Sequence, residues 1–287
     1  GAQLLQAIGD YAGFRHTQLD QPGERFSPAG GANNLCIDAA TTNPNVVVRT
    51  TSNPASGALY SLDNGVSWKT LGSYAVSDSV YAGNIAVSAD GTYMVWAPKD
   101  KPMRVTFDNG ASWYMCQGTL PPNNLRPVSD KVNVGKFYVF NGMNLYASED
   151  GGWTYSAFSV ATCGMPASTS YGTIRTFPGK EGEIWFPLNE NGLYSSKWSG
   201  GKPQFTKIVN VDYCRAVAFG MAKPGSGQPA TLFIHGKVKT SAFDGIFRSD
   251  DMGATWIQVN DPEHEFAGIS RSGLVGDPRT YGRVYMN

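Results

Sequence analysis

Asp10 is the carboxylate whose setting most invites chemistry. It lies in Leu4-Leu5-Gln6-Ala7-Ile8-Gly9-Asp10-Tyr11-Ala12-Gly13-Phe14-Arg15-His16, where an apolar strand reaches a Gly-Asp corner and a glycine-containing strand leaves it. Two readings are open: a turn aspartate bonded to its own backbone, or a carboxyl at a strand end facing a ligand cleft. Tyr11 and Phe14 beside it could partly desolvate the carboxyl, which penalises its charged form. Arg15 and His16 are close in sequence, yet alternate side chains on a strand point to opposite faces, so neither need approach it. Tyr11 and His16 are the candidate ligand contacts.

Other chemistry finds less support. His16, His235 and His264 are far apart with no carboxylate cluster around them, so no metal site and no cofactor is expected. The cysteines (Cys36, Cys116, Cys163, Cys214) lack metal-ligand spacing, neighbours lying about 50 or more positions apart. They allow two disulfides in three connectivities, and buried free thiols are an equal alternative for Cys36 and Cys214, each of which opens an apolar strand. No serine-hydrolase motif is present.

The elements that must position these groups are repeats. Ser61-Leu62-Asp63-Asn64-Gly65-Val66-Ser67-Trp68 recurs as Thr106 to Trp113, Ser148 to Tyr155 and Ser249 to Trp256. In each, a short strand-like run leads to a hydroxyl residue, then Asp, then Gly, then Ser or Thr, then an aromatic. Asp-Asn-Gly between strands is a hairpin signal, since Gly accepts φ > 0 and the carboxylate can take local backbone N–H groups. The aromatic opens the next strand, where a ring can fill the space between stacked sheets. Successive aspartates are 45 and 42 residues apart, and Asp251 follows after 101, so one degenerate repeat should lie between. Gly192 to Trp198 fills that slot, keeping the lead-in strand and losing the Asp. A period of 40–50 residues with about four strands per unit marks a β-propeller. Blades are expected at about 33–73, 81–118, 128–160, 170–208 and 214–260, in one domain over 1–287. The pieces 1–30 and 266–287 would be partial blades, shared or separate, which gives six or seven blades of four strands.

Composition agrees with that architecture. The chain has 34 glycines, 17 prolines and 12% aromatic residues, which suits short strands, tight turns and rings able to stack on sugars. With 23 basic against 23 acidic residues, nothing favours nucleic acid or an anionic membrane as partner. No apolar run approaches a membrane span. Gly1 opens the chain as it would a processed product or a fragment. Trp68, Trp113 and Trp256 belong to the repeats and are expected in the core, as are Trp96 and Trp185 on second strands.

The repeat resembles the Asp-box of sialidase-like and related propellers. A sialidase would need an arginine triad, for which Arg175, Arg215 and Arg271 could be nominated, but no spacing ties them together. The opening Ala7 to His16 and the closing stretches are more telling. Phe247 to Trp256, Asn260-Asp261-Pro262-Glu263-His264 and Gly276 to Tyr285, with Gly182-Glu183-Ile184-Trp185, resemble the second propeller of glycoside hydrolase family 74, the xyloglucan-cleaving two-propeller enzymes. The resemblance implies that Asp10 is the general acid of an inverting mechanism and that xyloglucan is the substrate. It implies a secreted protein whose second carboxylate, the base, stands on a first propeller that this chain lacks. The rival is a non-catalytic carbohydrate-binding or assembly propeller.

Overall fold

The computed structural model describes residues 2–27, 33–72, 80–261, 263 and 273–286. The chain is all-β; the single helical element among them is a 3₁₀ turn at Ala161–Cys163. Seven sheets follow one another along the chain. The first has three strands (Leu4–Ile8, Ala12–His16, Glu24–Arg25). The second (Asn34–Ala39, Val47–Thr51, Ala58–Ser61, Lys69–Thr70) and third (Asn84–Val87, Met94–Ala97, Arg104–Thr106, Tyr114–Met115) have four each. The fourth (Pro127–Ser129, Phe137–Phe140, Asn144–Ser148, Thr154–Ser159) gains a fifth strand, Gln117–Gly118, which runs parallel to Thr154–Ser159. The fifth spans Arg175–Thr176, Ile184–Pro187, Leu193–Ser199 and Lys202–Lys207. The sixth spans Val211–Gly220, Thr231–Val238, Gly245–Ser249 and Ile257–Gln258, and the seventh pairs Leu274–Gly276 with Val284–Met286. All the pairings apart from the added strand are antiparallel meanders, which is the construction of propeller blades. Six sheets have three strands or more and are the blades. Among the described residues the sheets at the chain ends have three and two strands.

The chain forms two compact units, Gly1–Phe140 with Tyr146–Ala157, and Asn141–Leu145 with Phe158–Asn287. In each, the middle strands read as continuous apolar runs because both of their faces are covered. In the first unit Val46 and Val48 join Leu71, Ile85, Met94 and Trp96 on one side, while Val47 turns to Phe26, Leu59 and Trp68 on the other. In the second, Leu232 and Ile234 meet Phe177, Trp185 and Phe247, while Phe233 packs with Ala216, Ile246 and Leu274. Side chains alternate faces along a strand, so burial on both sides favours apolar residues throughout the run.

Arg49 is a cation completely buried in the second sheet. Its guanidinium lies 4.4 Å from the Trp68 ring centroid and 5.1 Å from that of Phe26, and it donates to Asn34 Oδ1. Burial lowers its pKa to about 10, so it stays charged at neutral pH, balanced by the two ring faces.

The four repeated turns share one hydrogen-bond set. The buried Ser61 hydroxyl donates to Asp63 Oδ1 (2.7 Å) and accepts the Gly65 N–H (2.8 Å), while Asp63 Oδ1 accepts the Ser67 N–H (2.8 Å). Thr106, Ser148 and Ser249 do the same with Asp108, Asp150 and Asp251. Two successive residues in each turn have φ > 0 (Asn64-Gly65, Asn109-Gly110, Gly151-Gly152, Met252-Gly253), which explains the Asn-Gly and Gly-Gly pairs. Desolvation pulls the Asp63 carboxyl upward, but the Ser67 hydroxyl and N–H, with the Ser61 hydroxyl and Val66 N–H, outweigh it and hold its pKa down at about 2. Asp108 is lowered chiefly by the Ser112 N–H, and Asp150 and Asp251 are lowered by the same kinds of bond against desolvation. A related turn that the repeat pattern does not include closes the first hairpin of the third sheet, with Ser88 and Thr92 bonded to Asp90. In the degenerate fifth sheet the third and fourth strands run on to Ser199↔Lys202 and close on Gly200-Gly201, with φ of 58° and 73°.

Trp96 and Trp185 are buried, as are Trp68 and Tyr155, whereas Trp113 and Trp256 are only half-buried. The four cysteines are free thiols. Cys36 and Cys214 each sit at a register shift in a first strand, and each sulfur donates to a carbonyl at 3.4 Å (Ile85 and Ala216). Burial raises the Cys214 thiol, and burial with the Asp150 charge raises Cys116 to about 12.

Replacing Trp96 with Ala should cost about 3–5 kcal/mol in urea unfolding, as for other fully buried rings, and Trp113→Ala should cost less. The turn carboxylates have depressed folded pKa values, so their contribution is present above the unfolded Asp pKa of about 3.9 and is lost as pH falls toward about 2. Asp63→Asn should therefore show a shallower loss of stability between about pH 4 and pH 2 than the unsubstituted protein.

Candidate functional site

The Asp10 hairpin belongs to the first unit. Its strands pair from Leu4↔His16 to Ile8↔Ala12, leaving Gly9, Asp10 and Tyr11 as the loop. The Tyr11 N–H donates to Gly9 O (2.7 Å) and the Gly13 N–H to Tyr11 O (2.8 Å). These are two successive three-residue turns centred on Asp10 (φ 61°) and Ala12 (φ 70°), both outside the range that such residues favour. Strain of this kind is retained where the surroundings impose it. Here Asn33 Oδ1 accepts the Asp10 N–H (2.8 Å), and Arg25 Nε donates to Tyr11 O (2.9 Å). Gly13 permits the fold-back: a Cβ there would lie 2.2 Å from Gln6 O and 2.5 Å from the Phe26 ring. The backbone of Asp10 is thus fixed on both sides, while its carboxylate has no hydrogen bond or ion pair among the described residues.

The strands also fix which end of the blades this hairpin occupies. Asn33 immediately precedes the second sheet, and its carbonyl accepts the Ser52 N–H from the turn joining that sheet's second and third strands. Asn64, in the Asp63 turn, accepts instead from the Ala2 N–H and from Arg15 Nε (3.1 Å) at the far end of the hairpin. Asp10 and Asp63 therefore stand at opposite ends of the sheets that carry them.

One expectation needs correction. Asp10 is exposed and Tyr11 is 59% exposed, so the chain by itself does not desolvate the carboxyl. His16 is not brought to Asp10. It lies four residues along the strand from Ala12, about 13 Å away at 3.3 Å per residue. Its ring packs on Gly23, where a Cβ would come within 2.7 Å of it. Tyr11 does share the loop with Asp10, and the Arg25 guanidinium lies 5.8 Å from its ring centroid. Arg15 is turned away, bonded to Asn64 O and to Glu24 (3.4 Å), so it is no ion-pair partner for Asp10. Asn33 and Arg25 carry no sequence signal for this task; both reach the loop from more than ten positions away.

Among the described residues no group of three or more His, Cys, Asp or Glu could hold a metal. His264 and Arg271 lie outside them. Among the described residues no helix is long and apolar enough to cross a membrane.

The succession of antiparallel sheets, packed through both faces of their middle strands, defines a β-propeller fold. Its relatives along the whole chain are xyloglucanases of glycoside hydrolase family 74. The chain is 35% identical to a xyloglucanase from Paenibacillus sp. and 36% identical to Xyloglucanase Xgh74A of Acetivibrio thermocellus, each over all of its length. These alignments take in 28% and 33% of the two relatives, so the chain spans about a third of their length. The family 74 xyloglucanase of Xanthomonas campestris superposes with a TM-score of 0.86 at 31% identity, over 100% of this chain and 40% of that one. The family 74 enzyme of Niastella koreensis gives 0.83 at 30%, over 99% and 41%. No protein-family model matches the chain.

Asn33→Ala should leave the fold intact but release the Asp10 amide. Losing one net hydrogen bond of about 1 kcal/mol should speed its hydrogen exchange about fivefold, with the Val48 and Val95 amides unaffected. Equal exchange in both proteins would mean that Asn33 does not hold the loop.

Proposed function

We propose that this chain is one propeller of a two-propeller, xyloglucan-cleaving glycoside hydrolase, with Asp10 as general acid. The observation that carries the reading is the Asp10 hairpin: its backbone is held by Asn33 and Arg25, while its carboxylate is left unengaged and open. Whole-length similarity to xyloglucanases supports the substrate class. An inverting glycosidase needs a second carboxylate, roughly 6.5–9.5 Å away, to activate water. A companion propeller would supply that base. It would also cover the exposed loop and so give Asp10 the burial a proton donor requires. Tyr11, on the same loop, would contact the sugar beside the scissile bond. On this reading the chain is a single domain, the seventh sheet is the start of a further blade, the Asp63-type turns are Asp-boxes, and the enzyme acts outside the cell on plant cell-wall polysaccharide.

The test is Asp10→Asn in the assembled two-propeller enzyme. Asn keeps the shape but delivers no proton, so turnover of xyloglucan should fall about 10²–10⁴-fold with binding retained. An aryl glycoside with a good leaving group should lose much less. Unchanged turnover on xyloglucan would remove Asp10 from the mechanism. The chain expressed alone should bind without hydrolysing.

A further inference from the structure

In four of the sheets the third strand stops at its hydroxyl residue (Ser61, Thr106, Ser148, Ser249), and an aspartate follows two positions later. In the fifth sheet Ser196 holds the hydroxyl position, fully buried and accepting the Ile184 N–H (3.2 Å), and Trp198 stands where the aspartate would be. The strand then runs on to Ser199, pairing Lys197 with Gln204 and Trp198 with Pro203. That ladder holds the outer strand without help from an indole, so the tryptophan is surplus to the turn it replaces.

Trp198 borders an open cavity of about 420 Å³, lined also by Lys180, Glu181, Gly182, Glu183 and Lys197. Small-molecule sites run from roughly 300 to 1,000 Å³. The indole is fixed by its neighbours: a Cβ on Gly182 would lie 2.8 Å from its Cδ1, and the Phe158 ring stands perpendicular to it at 5.2 Å between centroids. It is nevertheless only half-buried. Glu183 is buried; its Oε1 accepts the Trp185 Nε1–H (2.9 Å) and its Oε2 lies 3.5 Å from Lys180 Nζ. The Lys180 ammonium also sits 5.5 Å from the Phe177 ring centroid, yet its side chain is 48% exposed, so it is positioned and still open to solvent. Lys197 and Glu181 are exposed. The first and second strands of this sheet are joined at 177–183 and the third and fourth at Gly200-Gly201. The cavity therefore lies at the blade end that corresponds to the Asp63 turn, not at the one that carries the Asp10 loop.

We propose that this cavity holds a neutral pyranose ring of a glycan, stacked against Trp198 and hydrogen-bonded by Lys180, Lys197 and Glu181. Two ammoniums and two carboxylates leave the lining with no net charge, so an anion meets Glu181 and Glu183 and a cation meets the two lysines. Sugar hydroxyls both donate and accept, and so pair with either sign. A pyranose also has an apolar C–H face, which suits a flat indole. Such a site keeps an enzyme on its polymer without touching the bond that is cleaved. That the glycan is xyloglucan rests on the xyloglucanase reading; the chemistry that holds the ring does not.

The experiment follows the Trp198 indole and Gly182 amide signals of the isotope-labelled 287-residue chain by NMR. A xyloglucan oligosaccharide is added in one series and an oligogalacturonate in another. Both signals should shift saturably with the neutral sugar, Trp198→Phe identifying the indole. Read at Gly182, Trp198→Ala should weaken binding about tenfold and Lys197→Ala about threefold. Lys197 is exposed, so its variant decides the matter if Trp198→Ala fails to fold. Signals unmoved by the neutral sugar, tighter binding of the oligogalacturonate, or undiminished binding in either variant overturns the site. The two readings fail separately. Asp10-dependent hydrolysis with the Trp198 signal unmoved sinks this site alone. A Trp198 signal that moves with the sugar, in a protein whose assembled enzyme leaves xyloglucan intact, sinks the hydrolase alone.

Discussion

A buried hydroxyl at the end of each third strand is what the outer part of these blades depends on. Ser61, Thr106, Ser148 and Ser249 are at most 2% exposed, and each joins an aspartate to the glycine N–H across the turn. The fourth strands that follow Asp63, Asp108 and Asp251 are only two residues long and face solvent, so their ladder hydrogen bonds cannot hold them alone. The carboxylate turn fixes their entry instead. Where it is missing, in the fifth sheet, the fourth strand is six residues long and the hairpin closes on two glycines. The fourth sheet has both, since the six-residue Thr154–Ser159 follows the Asp150 turn, so a longer ladder and a carboxylate turn can act singly or together.

The inner strands obey a different constraint, the covering of both faces. That constraint is why charge is so sparse in mid-strand and why Arg49 needs two aromatic faces and an amide oxygen around it. It also frees the strand ends, where short-range packing no longer dictates residue type. The Asp10 loop exploits such an end. It combines an irregular backbone held by Asn33 and Arg25 with a carboxylate that they leave unengaged.

The repeats were readable because their signals are local. Hydroxyl, Asp, Gly and aromatic residues at fixed offsets specify a turn within eight positions, and the sheets at 34–70, 84–115 and 175–207 fall inside the expected blades, while that at 211–258 begins ahead of the expected 214. The missing Asp near Gly192 was readable for the same reason, from the lead-in strand that survives. Asp10 at a strand corner was also legible. Its exposure was not, since Tyr11 and Phe14 are adjacent in sequence but burial is decided by what packs above the loop. Nor were Asn33 and Arg25, whose roles arise from pairing across 23 and 14 positions. His16 stands apart from the Asp10 loop because each residue along the strand adds about 3.3 Å. Trp113 shares its repeat position with Trp68, yet only Trp68 is buried, covered by Phe26 and the Arg49 guanidinium that come from elsewhere in the chain.

The thiols carry a consequence of their own. At neutral pH a cysteine whose pKa is about 12, such as Cys116, is a thiolate only about once in 10⁵ molecules, and Cys214 is held protonated still more firmly by its complete burial. Disulfide exchange proceeds through the thiolate, so these two sulfurs react slowly with oxidants and with foreign disulfides alike. Once folded, Cys116 and Cys214 therefore stay thiols in an oxidising medium as in a reducing one.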